Sequence, residues 1–500
     1  MTNCNTTAQN INQDLKSMKL ATSLKDNVET LEGLFKDDDT LRFRHVENTN
    51  GIKFCLIFCD GLIDGNMINE HAVKPLLLMT DIEKGEGISE RIMSRLIMAN
   101  EVSTVTDFKE IVESVTYGDT LLLIDGSQTG IMINSKGFML RGVAEPSVEN
   151  ILSGPREGFG EAVMINLSMI HRKLRTHHLK IKFTKLGNQT KTQLAVCYLD
   201  NIVNHQILSE VMRRLESIDI DSVLDANYID EFIRDSKWSP FRSTGYTERP
   251  DVVAGKLLEG RIAIFVDGSP VVLTIPYLFI ENFQSNEDYY LNFYYTTFTR
   301  LLRLTGFALT ILLPALYIAA VSFHHEILPT QLLMILSGTK RFLPMPAFAE
   351  TLIMMLAFDL LKETGIRVPF NIGQALGVVG GIVVGQAAVE ANLVSAPMVI
   401  MVAVAGVTNL IIPKLSAAAL ILRYALFVLA ATFGLFGMLI GLSLMLIHIL
   451  NLKSFGVSQL SAVGSIRFGD VKDTFFRAPW PKMINRTAPI AQNATRMKNL

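Results

Sequence analysis

Apolar residues follow two regimes along this chain. Up to about residue 300 they come in short runs between charged stretches; from 304 to 450 they form long stretches with almost no charge. In the first regime, KFCLIFCD (53–60) is a short apolar run of the kind a buried strand shows. QLAVCYLD (193–200) repeats its pattern, and each run ends in an aspartate, Asp60 or Asp200. LLLIDGS (121–127) has a counterpart in AIFVDGS (263–269), so the two pairs are offset by 140 and 142 positions. Two landmarks at nearly one offset predict an internal duplication. A helix is predicted ahead of each DGS strand, over 107–115 and 249–258, the second entered through Pro250. Asp125-Gly126 and Asp267-Gly268 read as hairpin turns. Between the repeats, Phe159, Val163, Leu167, Ile170 and Leu174 recur at three and four, which predicts a helix with one apolar face.

In the second regime four uncharged stretches are long enough to cross a bilayer: Leu304–Phe323, Asn371–Val389, Ala391–Pro413 and Tyr424–Leu450. Pro314 predicts a kink in the first. Ile327–Thr339 and Phe342–Phe358 are broken by Pro329, Pro344 and Pro346, hold Glu350, and read as a re-entrant or broken-helix element. Arg300 and Arg303 precede the first stretch, which favours a cytoplasmic N-terminal half. The expected fold class is a duplicated α/β soluble domain followed by an all-α, multi-pass membrane domain. Its expected parts are a polar N-terminal segment (1–45), two α/β subdomains (46–150 and 151–290), a membrane domain with at least four spans (291–452), and a cytoplasmic tail (453–500), part stub and part loose.

The most informative segment is NIGQALGVVGGIVVGQAAVEANL (371–393). Gly373, Gly377, Gly381 and Gly385 recur every four residues and form one stripe along a helix, where small residues let helix backbones approach in lipid. Beside it runs a second stripe, Gln374, Val378, Ile382, Gln386 and Glu390, polar at its ends and aliphatic in its middle. A carboxylate at the bilayer is costly unless it faces protein, water or an ion path. Several copies around an axis would form a pore with an apolar constriction and polar mouths. A tightly packed span with Glu390 at the interface is the plainer reading, and the residues alone leave both open.

Composition adds limits rather than a function. Lys and Arg number 46 against 48 Asp and Glu, a formal net charge of −2, so no overall attraction to nucleic acid or anionic membrane follows. The first 20 residues are polar and hold no signal-peptide core, so the first 300 residues are expected in the cytoplasm. Cys4, Cys55, Cys59 and Cys197 form no secreted disulfide framework, and Cys55 and Cys59 lie in a run that reads as a buried strand. Asp60 and Asp200 read as turn residues rather than phosphoacceptors or metal ligands. The basic segment HRKLRTHHLKIKFTK (171–185) reads as a solvated face, or as a surface for anionic lipid, a partner subunit or, least of all, nucleic acid. Neither a catalytic constellation nor a cofactor motif stands out, so an enzyme is not expected.

From about residue 110 to 480 the chain resembles the A subunits of the spore-germination (GerA-type) nutrient receptors. The likeness is carried by SGPREGFGE (153–161), NLSMIHRKLR (166–175), TERPD (247–251), FQSNEDYY (283–290), VSFHHEILPT (321–330), LPMP (343–346), GQAAVEANLVS (385–395) and RAPWPKM (477–483). The family tends to have Arg where His171 stands and Pro where His177 and Asn286 stand. FGVSQLSA (455–462) lacks its usual prolines, and Pro481 replaces a usual tryptophan. The resemblance implies two similar α/β subdomains and a place in the inner membrane of the dormant spore. It implies a multi-pass B subunit that recognises the nutrient, a lipoprotein C subunit, and a pentameric ring of A subunits forming a cation channel. No established member is an enzyme. The competing expectations are an accessory homologue acting with the dipicolinic-acid channel, a secondary transporter, and a scaffold for the other subunits.

Overall fold

Short apolar runs pair into two antiparallel sheets of identical plan. A computed structural model describes residues 18–78, 88–95, 101–137, 149, 153–340, 343–367, 381, 383–461, 473–486, 490–493 and 495–496. The first sheet joins β1 (Leu41–Glu47), β2 (Lys53–Cys59), β3 (Val102–Val105), β4 (Thr120–Ile124) and β5 (Gly130–Ile133) in the order β1-β2-β4-β5-β3. The second joins β6 (Leu179–Leu186), β7 (Thr192–Leu199), β8 (Gly245–Thr247), β9 (Ile262–Val266) and β10 (Val272–Ile275) in the order β6-β7-β9-β10-β8. The duplication predicted from two landmarks is therefore the fold of the whole soluble half. The hairpins after β4 and β9 turn on Gly126 (φ +89°) and Gly268 (φ +86°), a left-handed conformation that favours glycine.

Helices α1 (Leu24–Leu34) and α2 (Phe108–Val115) lay Leu24, Val28, Leu31, Phe108 and Ile111 against Cys55 and Ile57 of the first sheet. Here the expected boundary at residue 46 moves. Leu24, Val28 and Leu31 sit four and three apart, Ser23 caps the helix by accepting from Asp26 N, and β1 begins at Leu41. The segment expected to be polar throughout therefore holds one amphipathic helix. In the second subdomain α3 (Val163–Lys173) and α6 (Pro250–Leu258) cover one sheet face. α4 (His205–Glu216) and α5 (Ala226–Ile233) cover the other. Phe159 is buried just ahead of α3, and Asp267 of the repeated hairpin accepts from Val163 N at 3.1 Å, capping that helix.

The helical half is built from α7 (Phe293–Ser322), α8 (Thr330–Lys340), α9 (Ala347–Arg367), α10 (Ala396–Leu410) and α11 (Ser416–Asn451). Among the described residues two helices are long and apolar enough to cross a membrane, α7 and the one that includes α11. α7 runs through Pro314 without a break and begins eleven residues before the expected stretch. The stretch Ala391–Pro413 gives only the 15-residue α10, because Ser395 and Pro397 set its start and the chain turns at Ile411. α9 does not end at Phe358 as expected but continues past Asp359 and Lys362 to Arg367. Asn371–Val389 lies largely outside the described residues.

The stretch expected as one span, Tyr424–Leu450, is a hairpin. At Gly434 the backbone leaves the helix (φ +62°, ψ −141°), and the chain returns antiparallel to itself. A Cβ on Gly437 would run into the Leu429 carbonyl, and one on Gly441 would lie 2.5 Å from Leu426 Cδ2. In a straight helix the last pair would be about 22 Å apart. The arms, 416–433 and 435–451, are each ~26 Å long and close over small residues, as helices in lipid do. Contacts fix the running directions. Gly434 meets Phe323 and His324 at the far end of α7, while His448 returns to Ser239 of the second subdomain at 2.9 Å. α10 runs against α7, with Ser395 by Tyr317 and Thr408 by Thr310.

The segment after α11 folds back rather than trailing away. Ser454 donates to Ser243 O (2.6 Å) and accepts from Tyr277 N (3.0 Å). Arg486 donates to Leu258 O (2.6 Å) and Gln492 N to Ile202 O (2.9 Å). The loose tail expected there is, over its described residues, a strap across the second subdomain.

Candidate functional site

The basic segment 171–185 lies at the seam between the subdomains. Leu179, Ile181 and Phe183 alternate with Lys180, Lys182 and Thr184 as β6, an edge strand, and its lysines reach the turn that ends α1. Lys180 Nζ donates to Leu34 O (3.0 Å), Lys182 pairs with Asp37 (3.1 Å), and Phe183 N donates to Asp39 Oδ2 (2.8 Å). His171 Nε2 faces Thr40 Oγ1 (3.4 Å) and Cys59 Sγ (3.7 Å). Burial pulls His171 down to about 4 and pushes Asp38, bonded to Thr40, up to about 6. Of this segment the sequence allowed a solvated face or a surface for lipid, a partner subunit or nucleic acid; in the fold Lys180 and Lys182 instead tie one repeat to the other.

A second seam joins the soluble layer to the helices. Asp288, 1% exposed, holds Arg300 Nε (2.8 Å) and Arg303 Nη1 (2.9 Å) at the foot of α7. Arg300 also donates to Asp473 (2.9 Å), which accepts from Tyr289 OH (2.7 Å), and Arg477 donates to Leu291 O (2.8 Å). Asp251 Oδ2 gathers Arg249 (3.0 Å), Tyr290 OH (2.7 Å) and Asn286. The sequence landmarks TERPD, FQSNEDYY and RAPWPKM thus converge on one joint. Beside it a cleft of about 300 Å³ is lined by Arg249, Lys256, Glu281, Arg303 and Lys414, the last from the loop between α10 and α11. Buried charges of this kind are costly to leave unpaired, so the joint holds the foot of α7 in one place.

Among the helices the polar groups pair across segments. Glu350, 1% exposed, accepts from Ser395 N (2.5 Å) and Oγ (2.6 Å), which puts its carboxylate at the N-terminus of α10. Asp359 accepts from Arg423 Nη2 (2.5 Å) and Tyr424 OH (2.7 Å), and Lys362 donates to Ser416 (2.7 Å). Neither residue stood out in the sequence, because Asp359 directly follows the apolar run ending at Phe358 and Arg423 directly precedes the one beginning at Tyr424. The available signal was one acid and one base inside segments otherwise fit for lipid.

Of the two stripes on 371–393, Gln374, Val378, Ile382, Gly373 and Gly377 lie outside the described residues. The described part, 383–390, is helical and descends beside α10, with Gly385 buried and the position of its missing Cβ 3.5 Å from Val399 Cγ1. Gly381 is exposed, and among the described residues none comes within 4 Å of the position of its missing Cβ. Gln386 and Glu390 are both exposed on the outside of the chain, Gln386 Nε2 donating to Glu390 Oε1 at 2.8 Å. The geometry thus joins the two described polar members of the stripe, Gln386 and Glu390, and separates them from the glycine that packs.

Comparison with known proteins gives a consistent assignment. The family model described as Bacillus/Clostridium GerA spore germination protein matches residues 29–488. Spore germination protein KA of Bacillus subtilis is 37% identical over 89% of this chain and 82% of its own length. Spore germination protein GerLA of Bacillus cereus is 35% identical over 93% and 95%, and the membrane protein YfkQ of Bacillus subtilis 36% identical over 95% and 92%. The crystallised N-terminal domain of the A subunit of the Bacillus megaterium spore germinant receptor GerK3 aligns at 31% identity over 52% of this chain and 98% of that domain, with a TM-score of 0.42. The relatives named for spore germination are not known as enzymes. On the family match and these relatives, the chain belongs to the GerA family of spore germination proteins.

Proposed function

We propose that this chain is the A subunit of a nutrient-germinant receptor in the inner spore membrane. In this reading, copies of it assemble, five to a ring, around a cation path lined by Gln374, Val378, Ile382, Gln386 and Glu390. The observation that supports it most is the exposed Gln386–Glu390 pair. An amide and a carboxylate on the outside of an apolar bundle would be costly against lipid, whereas a shared water-filled axis gives them solvent. The described helices suit a bundle that crosses repeatedly: α7 runs away from the soluble layer, α9 and α10 run back toward it, and the two arms of α11 run away and return. Both ends of the bundle then lie on the cytoplasmic side with the soluble half and the C-terminal strap. A B subunit that reads the nutrient and a lipoprotein C subunit complete the complex.

The aliphatic middle of the stripe is the natural gate. Spores carrying Val378→Ala or Ile382→Ala are expected to germinate without nutrient, followed as loss of optical density in buffer. If both variants stay fully dormant and still answer nutrient as the parent does, the gate is not there.

A further inference from the structure

Among the described residues, the most exposed aromatic ring of the soluble half stands beside the helices. Trp238, in the turn SKWSPFR (236–242) after α5, is 99% exposed, although tryptophan is among the side chains that lose most by facing water. The backbone around it is well held. Ser239 Oγ lies 2.9 Å from His448 Nε2, Phe241 stacks on the His448 ring at 6.1 Å between centroids, and Asp235 accepts from Phe455 N at 2.6 Å. His448 lies one turn from the end of α11, among the exposed Leu446, Ile447 and Leu450. The turn is therefore fixed at the height where the outward apolar surface of the bundle ends.

The foot of α7 carries the same signature. Tyr294, Tyr295 and Phe298 are exposed there, immediately before the uncharged stretch that begins at Leu304. Lys237, next to Trp238, is exposed as well. Tryptophan and tyrosine settle at the headgroup level of a bilayer, and lysine there keeps its ammonium in water while its stem lies along apolar matter. We infer that the 236–238 turn seats Trp238 in the phospholipid headgroup layer. The second subdomain would then rest on lipid as well as on the joint at α7. The inference relies on the helices crossing a bilayer. It names the lipid surface, rather than a second copy of the chain, because the apolar surface of α11 continues directly beneath the turn.

The chain has two tryptophans, so Trp480→Phe leaves Trp238 as the one reporter. The full chain would be placed in nanodiscs of phosphatidylcholine and phosphatidylglycerol carrying spin labels either at the headgroup or at the acyl-chain end. The expected result is blue-shifted Trp238 emission, quenched most by the headgroup label and weakly by aqueous acrylamide. Water-like emission that acrylamide quenches fully overturns the inference. So does blue-shifted emission that neither lipid label quenches, which means a protein neighbour covers the ring. Because Trp480 takes part in the joint, the difference spectrum between the unaltered chain and Trp238→Phe gives the same reading without disturbing it. Retention in the discs at high salt reports separately whether the helices are embedded.

Discussion

His171 has Thr40 and Cys59 at one ring nitrogen and, among the described residues, no hydrogen-bond partner at the other. Burial lowers it from 6.5 to about 4, worth roughly 3 kcal/mol between its charged and neutral forms. A lowered histidine contributes stability that is complete above about pH 6.5 and is lost as pH falls through 4. Asp38 works the other way: raised from 3.8 to about 6 by burial, it favours folding below about pH 4 and ceases to as pH rises through 6. The two slopes oppose each other across one seam, while His177, also held near 4 by burial, adds to the first. Asp38→Asn is therefore expected to make hydrogen-exchange protection of β6 fall more steeply from pH 6.5 to 4, after correction for the intrinsic rate. His171→Asn should flatten that fall. Equal pH slopes in both variants and the parent would show that neither group titrates at the seam. The seam was legible in LKIKFTKL, whose two-residue alternation marks a strand, but a count of charges obscured it. Its partners, Asp37 and Asp39, stand some 140 positions away and could not be read from local pattern.

At the scale of elements, hydrophobic length located the helical half but not its folding. Tyr424–Leu450 is uncharged throughout, and nothing in its hydropathy distinguishes one long helix from two short arms. The distinction lies in Gly434, Gly437 and Gly441, which permit a reversal and a close return that any side chain would obstruct. Gly437→Leu is expected to force the arms apart. Cysteines placed at 426 and 441 should crosslink readily in the parent hairpin and several-fold less in that variant. Crosslinking unchanged by leucine would mean that the arms do not meet at Gly437. The joint at α7 shows the same limit. Its motifs were visible as landmarks, yet only the fold shows that Asp288, Arg300, Asp473 and Arg477 are one cluster drawn from three places in the chain.

The whole molecule links two repeats to each other through β6 and links the second repeat to the helices through Asp288, Ser454 and the C-terminal strap. A change at the soluble layer therefore has short, charged routes to the foot of α7 and to the loop that starts α11. The duplication and the division into soluble and helical halves were legible because each rests on a long-range pattern of hydrophobicity. The central claim is that the Gln386–Glu390 face lies on the ion path. It is tested most directly by potassium release from nutrient-exposed spores carrying the parent gene, a deletion, or Glu390→Gln. Deletion is expected to abolish early potassium release for one nutrient class, and Glu390→Gln to alter its rate or its preference among cations. Early release that persists in the deletion strain, or that is unchanged by Glu390→Gln, would contradict it.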